Sequence, residues 1–170
     1  FQKEFAIKTP VWGFAGHPLV DGNKVICLAG GTGSVAVAYH KDTGKELWRA
    51  LGAKEPGYAP PMIYTYGGKR QVIIWHPEAV SALDPESGAV LWSYRFETPV
   101  RFGMTIPSPR QVGDLLFLTS FYNGSVLLRV GSTEPSLVWA SKKVSEKDTD
   151  GLHSVMSTPW IEDGYIYSPC

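Results

Sequence analysis

The chain has 170 residues, of which 44% are hydrophobic, 19% charged and 12% aromatic, and its 16 basic and 16 acidic side chains leave a formal net charge of zero. That is a globular composition long enough to bury a core, and its aromatic content excludes a disordered chain. Balanced charge without a basic stripe removes nucleic acid as an expected partner, and the lack of any long apolar run removes a transmembrane segment.

The 18 glycines and 13 prolines point to many short strands joined by tight turns. In the first unit, residues 17–20 read as a strand and 21–24 as a hairpin turn opened by Asp21-Gly22. Residues 25–28 are a second strand, 30–33 a glycine turn, 34–39 a third strand, 42–44 a turn and 45–50 a fourth strand. The plan then recurs. Residues 60–66, 70–75, 79–83 and 89–94 form a second set, with Gly67-Gly68 in its first turn. A third set begins at 105–109, turns at 111–114, and continues through 115–119, 125–130 and 137–140, with Asn123-Gly124 expected as a tight hairpin. A fourth opens at 156–161, turns at Asp163-Gly164 and runs through 165–167.

The recurrence is also literal. Ala38 to Trp48 is echoed by Ala82 to Trp92, 44 residues later, and a worn third copy ends at Trp139. Four short antiparallel strands per 44 to 50 residues is the arithmetic of a propeller blade. The fold class is therefore all-β, a β-propeller of four-stranded antiparallel blades of the WD40-like kind. The units fall at about 11–50, 57–95 and 103–141, with a partial blade at 155–170. Three and a half blades do not close a ring, so the chain is expected to be a partial propeller, with its open faces covered by the missing remainder. The chain begins at Phe1, with no initiator Met and no signal peptide, and is read as a processed or excerpted segment.

Within the repeat, Gly44 and Gly88 are expected at positive φ, Asp84 as a turn-tightening acceptor, and Trp48, Trp92 and Trp139 as packing between blades. The glycines at 30–33 lack the Gly-Lys-Ser/Thr ending of a phosphate loop and run into a strand. Asp42-Thr43-Gly44 has the letters of an aspartic-protease triplet, but its counterpart is Glu86-Ser87-Gly88, so it is a repeat turn. Asn123-Gly124-Ser125 spells a glycosylation acceptor but is better explained by the hairpin. With no CxxC, Cys27 and Cys170 do not form a zinc knuckle; Cys27 reads as a small buried hydrophobe, and its pairing with Cys170 is left open. No catalytic residue and no metal ligand set emerges. His17, His76 and His153 lie near blade beginnings or strand ends and are candidates, with Trp75, Arg101 and Tyr122, for a ligand-facing channel. Residues 53–59 and 142–155 are the longest loops.

The Ala-x-Asp-x-x-Thr-Gly-x-x-x-Trp pattern resembles the repeat of the pyrroloquinoline-quinone-like (PQQ-like) β-propeller family. It matches through Ala82, Asp84, Ser87, Gly88 and Trp92, and through Ala38, Thr43, Gly44 and Trp48, with His40 where Asp is usual. That family includes quinoprotein alcohol dehydrogenases, the propeller lipoprotein of outer-membrane barrel assembly, and uncharacterised exported members common in environmental bacteria. The resemblance implies a non-catalytic scaffold or protein-binding domain of a larger exported protein, periplasmic in bacteria, with a protein or peptide partner and no cofactor. The alternative it implies is part of a quinone-dependent dehydrogenase, with PQQ and calcium in the propeller's centre; no Cys-Cys pair is present, and no Asp or Glu here matches the calcium or base positions.

Overall fold

This computed structural model describes residues 2–97, 104–131, 133–142 and 151–169. Among the described residues a short helix α1 (Gln2–Phe5) precedes fourteen strands. The first sheet is β1 (Leu19–Asp21), β2 (Lys24–Leu28), β3 (Ala36–His40) and β4 (Glu46–Ala50). The second is β5 (Met62–Tyr66), β6 (Lys69–His76), β7 (Ala79–Leu83) and β8 (Val90–Arg95). The third is β9 (Arg110–Val112), β10 (Leu115–Ser120), β11 (Gly124–Arg129) and β12 (Ser136–Ala140), and a two-stranded sheet pairs β13 (Trp160–Glu162) with β14 (Tyr165–Tyr167). In each sheet the strands lie side by side in chain order and all pairs are antiparallel, which is the blade topology of a propeller.

The turns follow local chemistry. Gly67 and Gly68 take φ of 56° and 76°, and Asp163 and Gly164 take 49° and 79°, so each pair fills the two positive-φ places of a tight hairpin. Asn123-Gly124 behaves differently from the sequence expectation. Ser120 pairs with Gly124, so the loop is the three residues 121–123, and Gly124 at φ 69° opens β11 instead of sitting at a two-residue tip.

Side-chain alternation along β6 stacks the blades. Val72 and Ile74 join Ile26, Leu28, Ala36 and Ala38 of the first sheet, whereas Ile73 and Trp75 join Leu116, Leu118, Val126 and Leu128 of the third. A strand buried on both faces needs this continuous apolar run. The first blade's other face is not bare. Phe5, from α1, is buried with Ala29 and Val37, and Ile7 packs beside them. The Arg49 guanidinium lies 4.9 Å from the Phe5 ring centre. The expectation from sequence, that the missing remainder covers the open faces, does not anticipate this strap, because four residues of helix carry no periodic signal. Cys27 is half-buried, and burial pushes its thiol pKa up.

Each blade repeats one cross-strand triplet: Ile26, Ala38 and Trp48; Ile73, Ala82 and Trp92; Phe117, Leu127 and Trp139. Each also has a register shift at the same place, immediately after Ala38, Ala82 and Leu127. An extra residue there twists the outer strand and re-aims the indole. The Trp48 ring lies against the turn of the second blade: a Cβ built on Gly88 would fall 2.7 Å from two of its ring carbons. Its Nε1 donates to the Pro85 carbonyl at 3.1 Å. Trp92 donates to Gln71 Oε1 at 2.7 Å, and Gln71 Nε2 donates to the Gly131 carbonyl at 3.1 Å, reaching the third blade by relay. Lys24 holds the place in β2 that Gln71 holds in β6, two residues before the triplet isoleucine. It too reaches the next blade, donating to Glu86 Oε1 at 2.7 Å.

The turn under Trp48 is set by Asp84. Its Oδ1 accepts from the backbone N–H of Glu86 and Ser87 and from the Ser87 hydroxyl, and the Ser87 bonds hold the carboxyl below its ordinary pKa. In the first blade His40 supplies part of the same support, its Nδ1 accepting from Asp42 N–H at 3.3 Å.

Gly88→Ala and Gly44→Ala separate conformational strain from contact. Both glycines have φ near 70°, but a Cβ on Gly44 meets nothing within 4 Å. In urea unfolding, Gly44→Ala is expected to cost about 1 kcal/mol and Gly88→Ala clearly more. Trp48→Ala should cost about 3–5 kcal/mol and abolish most of the difference between the two glycine variants.

Candidate functional site

The segments that lead into the four sheets converge on a cavity of about 540 Å³. Each lead-in segment ends in a proline immediately before the first strand: Pro18, Pro61, Pro109 and Pro159. A residue preceding proline is confined to extended backbone, and extended backbone exposes alternate residues to one side. The residues one before the proline are His17, Pro60, Ser108 and Thr158, and those three before it are Ala15, Tyr58, Ile106 and Met156. All eight line the cavity, together with Trp12 and Met104. Ala59, between two lining positions, turns instead into the core. The wall is thus two rings of equivalent positions, one from each unit. The sequence signal was present in the four prolines, but it is visible only once the units are superposed on their first strands.

Hydrogen bonds tie the lead-in segments together in order. Trp12 N–H donates to the Tyr58 hydroxyl at 3.5 Å, Tyr58 N–H to the Thr105 carbonyl at 2.9 Å, and Ser108 N–H to Thr158 Oγ1 at 3.0 Å. Gly57 permits the close approach, since a Cβ there would fall 2.2 Å from Thr105 Oγ1. The Trp12 and Tyr58 rings meet edge-on at 5.7 Å. Burial pushes the Tyr58 phenol pKa up, so the hydroxyl stays neutral at ordinary pH.

The residues singled out by sequence are dispersed. His17 lines the cavity. Trp75 is fully buried between the second and third blades, stacked on Phe96 at 6.1 Å, and its Nε1 has no hydrogen-bond partner among the described residues. His76, at the end of β6, lines a separate cleft with Glu78, Ser81, Ser93 and Arg95, and its Nδ1 accepts from Glu78 N–H at 3.4 Å. His153 is fully buried and its Nδ1 donates to the Phe121 carbonyl at 3.0 Å, beside the loop that carries Tyr122. Thr119 and Ser125 hydroxyls donate to the Leu152 carbonyl, so this segment is stitched to β10 and β11. Arg101 and Cys170 lie outside the described residues, as does most of the loop expected at 142–155. Among the repeat residues, Trp139 stacks on Phe117 at 6.4 Å and is 39% exposed, against 7% for Trp48 and 1% for Trp92.

Pyrroloquinoline quinone carries three carboxylates and is bound beside a calcium ion. Among the described residues, the cavity lining contains no Asp, Glu, Asn, Gln, Lys or Arg, and no group of three or more His, Cys, Asp or Glu is placed to hold a metal ion. The described lining residues do not fit that cofactor.

Stacked four-stranded blades around converging lead-in segments define a β-propeller. The family model described as outer membrane protein assembly factor BamB matches residues 5–169, and the chain belongs to that family. Among solved structures it is similar to BamB from Moraxella catarrhalis, with a TM-score of 0.56 and 20% identity over 92% of this chain. The match covers 43% of that protein, so the chain spans less than half its length. No curated protein matches the chain.

Burial, opposed in part by Glu78, lowers the His76 pKa below its ordinary 6.5. The unfolded chain therefore takes up a proton before the folded one as pH falls. Stability should decline from about pH 6.5 downward until the folded-state pKa is passed, then level off with respect to this group. His76→Asn should flatten that part of a stability–pH profile measured by urea unfolding.

Proposed function

We propose that the chain is a non-catalytic propeller scaffold that binds protein, and that it is part of a larger exported bacterial protein working in the periplasm. The observation that carries this reading is the make-up of the convergent cavity: ten described lining residues from four units, none of them carrying a carboxylate, amide, ammonium or guanidinium side chain. Depletion of charge with enrichment of aromatic residues and Met is the composition of a protein-interface core. Membership of a family described as an assembly factor supports the same reading. No helix among the described residues is long and apolar enough to cross a membrane.

The remainder of the propeller is the other partner we propose. Trp160, Tyr165 and Tyr167 are exposed on the last hairpin. Tyr165 and Tyr167 occupy the β14 places that correspond to Lys24 and Ile26 in β2, the residues that face the following blade in the first unit. A further blade covers them in this reading.

Titration of the full-length protein with pyrroloquinoline quinone and Ca²⁺, followed by absorbance, is expected to show no saturable binding. Saturable binding accompanied by alcohol-dependent dye reduction overturns the non-catalytic reading. Fractionation of the native bacterium should place the protein in the periplasmic or envelope fraction; a cytosolic location overturns the exported one.

A further inference from the structure

We propose that residues 2–7 are the built-in cap of the first blade: in the whole protein they, and not another blade, cover the face of the β1–β4 sheet that looks away from the second blade. The inference goes beyond the protein-binding reading and does not rest on it.

The first observation is a seat shaped for the strap. The glycines at 30–33, which do not make a phosphate loop, lie in the β2–β3 connection. A Cβ on Gly31 would fall 2.7 Å from Ile7 Cγ2 and 2.9 Å from the Phe5 carbonyl oxygen, and Gly31 has a φ of 87°. Glycine is required there by contact with the strap's backbone as well as by conformation. The connection is also specific to this blade. It runs through residues 29–35, whereas its counterparts are the short links 77–78 and 121–123, neither of which contains glycine. Its shape is held from within the blade: Ala29 N–H donates to the Val35 carbonyl at 2.9 Å, and Gly30 N–H to the Ser34 carbonyl at 3.0 Å.

The second observation is the chemistry of the covered face. Phe5, 7% exposed, packs with Ala29 and Val37, both fully buried. Arg49 of β4 reaches across the Phe5 ring at 4.9 Å and lies 4.0 Å from Glu4, so the outer strand holds the strap by a cation–π contact and an ion pair. The residues that follow the first two members of the cross-strand triplet show what a neighbouring blade demands. They are Ile74 and Leu83 in the second blade and Leu118 and Leu128 in the third, each at most 1% exposed and facing the preceding blade. In the first blade they are Cys27 and Tyr39, both only half-buried. A strap narrower than a sheet leaves these two places partly open, and a tyrosine, with one polar end, suits such a place. Lys3, Glu4 and Lys8 are exposed, so the outward side of the strap is charged and lacks the apolar surface on which blades stack.

Thiol alkylation of the full-length protein distinguishes a strap from a blade. The reagent is N-ethylmaleimide under native conditions, with each thiol followed by peptide mass spectrometry. Cys27 should be alkylated in the folded wild type. The thiol introduced by Val37→Cys, in a Cys27→Ser background, should react at least tenfold more slowly, because Val37 lies under the strap. Adding Phe5→Asp to that variant should raise its rate at least tenfold. Where Phe5→Asp does not fold, as judged by loss of a cooperative urea transition, the glycines decide. Gly31→Ala should raise the rate at least threefold. Gly33→Ala should leave it within twofold, because Gly33 shares a positive φ of 77° but a Cβ on it meets nothing within 4 Å.

A blade stacked on this face would bury both thiols alike and make the strap variants silent. Equal protection of Cys27 and the thiol at position 37, no response to Phe5→Asp in folded protein, or equal rates in the two glycine variants each overturn the proposal.

Discussion

The contact on which the stack depends is an indole laid on a turn that has no side chain. Trp48 covers Gly88, and a methyl group at that glycine would occupy the space of the ring. A sheet with apolar side chains on both faces is not stable alone, so each blade must hold its neighbour at a fixed distance and rotation. Burial is non-directional and cannot set that rotation by itself. The Trp48 Nε1 bond to Pro85 and the Lys24 bond to Glu86 supply direction, because both end on the same turn of the next blade. At the second junction Gln71 combines the two roles, accepting from Trp92 and donating to Gly131. The two junctions differ in route: Trp48 bonds the next blade directly, whereas Trp92 reaches it through Gln71. Charge is used where the acceptor is a side chain and an amide where it is a carbonyl.

This explains why the repeat is legible in sequence only in part. Gly44, Gly88, Gly164 and the tryptophans are residues whose conformation or bulk admits few substitutes, so the strand–turn plan could be read from them. Lys24 and Gln71 are structurally equivalent but chemically unlike, and single-sequence pattern matching has no reason to align them. The register shift before each tryptophan leaves no letter at all: the extra residue is Leu47, Leu91 or Val138, which looks like ordinary strand. His40 shows the reverse case. Its letter departs from Asp84, yet its Nδ1 accepts the same i+2 backbone N–H.

The candidate site was less legible for a related reason. Titratable residues were the natural candidates, because chemistry is written in them. Trp75 is held by burial, and His76 and His153 by burial and a backbone partner, in places set by the strand and turn that carry each one. The cavity wall is built from residues that carry little chemistry of their own. Its order lies in their spacing from four prolines, and that spacing has meaning only after the blades are stacked.

The same arrangement separates stability from recognition. The prolines and the hydrogen-bonded backbone of the lead-in segments determine where the lining positions lie, while the lining side chains themselves are free to differ. One ring holds His17, Pro60, Ser108 and Thr158 and the other Ala15, Tyr58, Ile106 and Met156, side chains that differ widely in size and shape. In the first two units the position between them has less freedom: Ala59 is packed in the core, and a Cβ on Gly16 would lie 3.2 Å from Leu28. A wall whose scaffold is constrained and whose surface is not can be tuned to a ligand without disturbing the stack. None of the described lining residues is Asp, Glu, Lys or Arg, although 19% of the chain's residues are charged. Packing alone does not require that at an open cavity, where charged side chains would be hydrated at little cost.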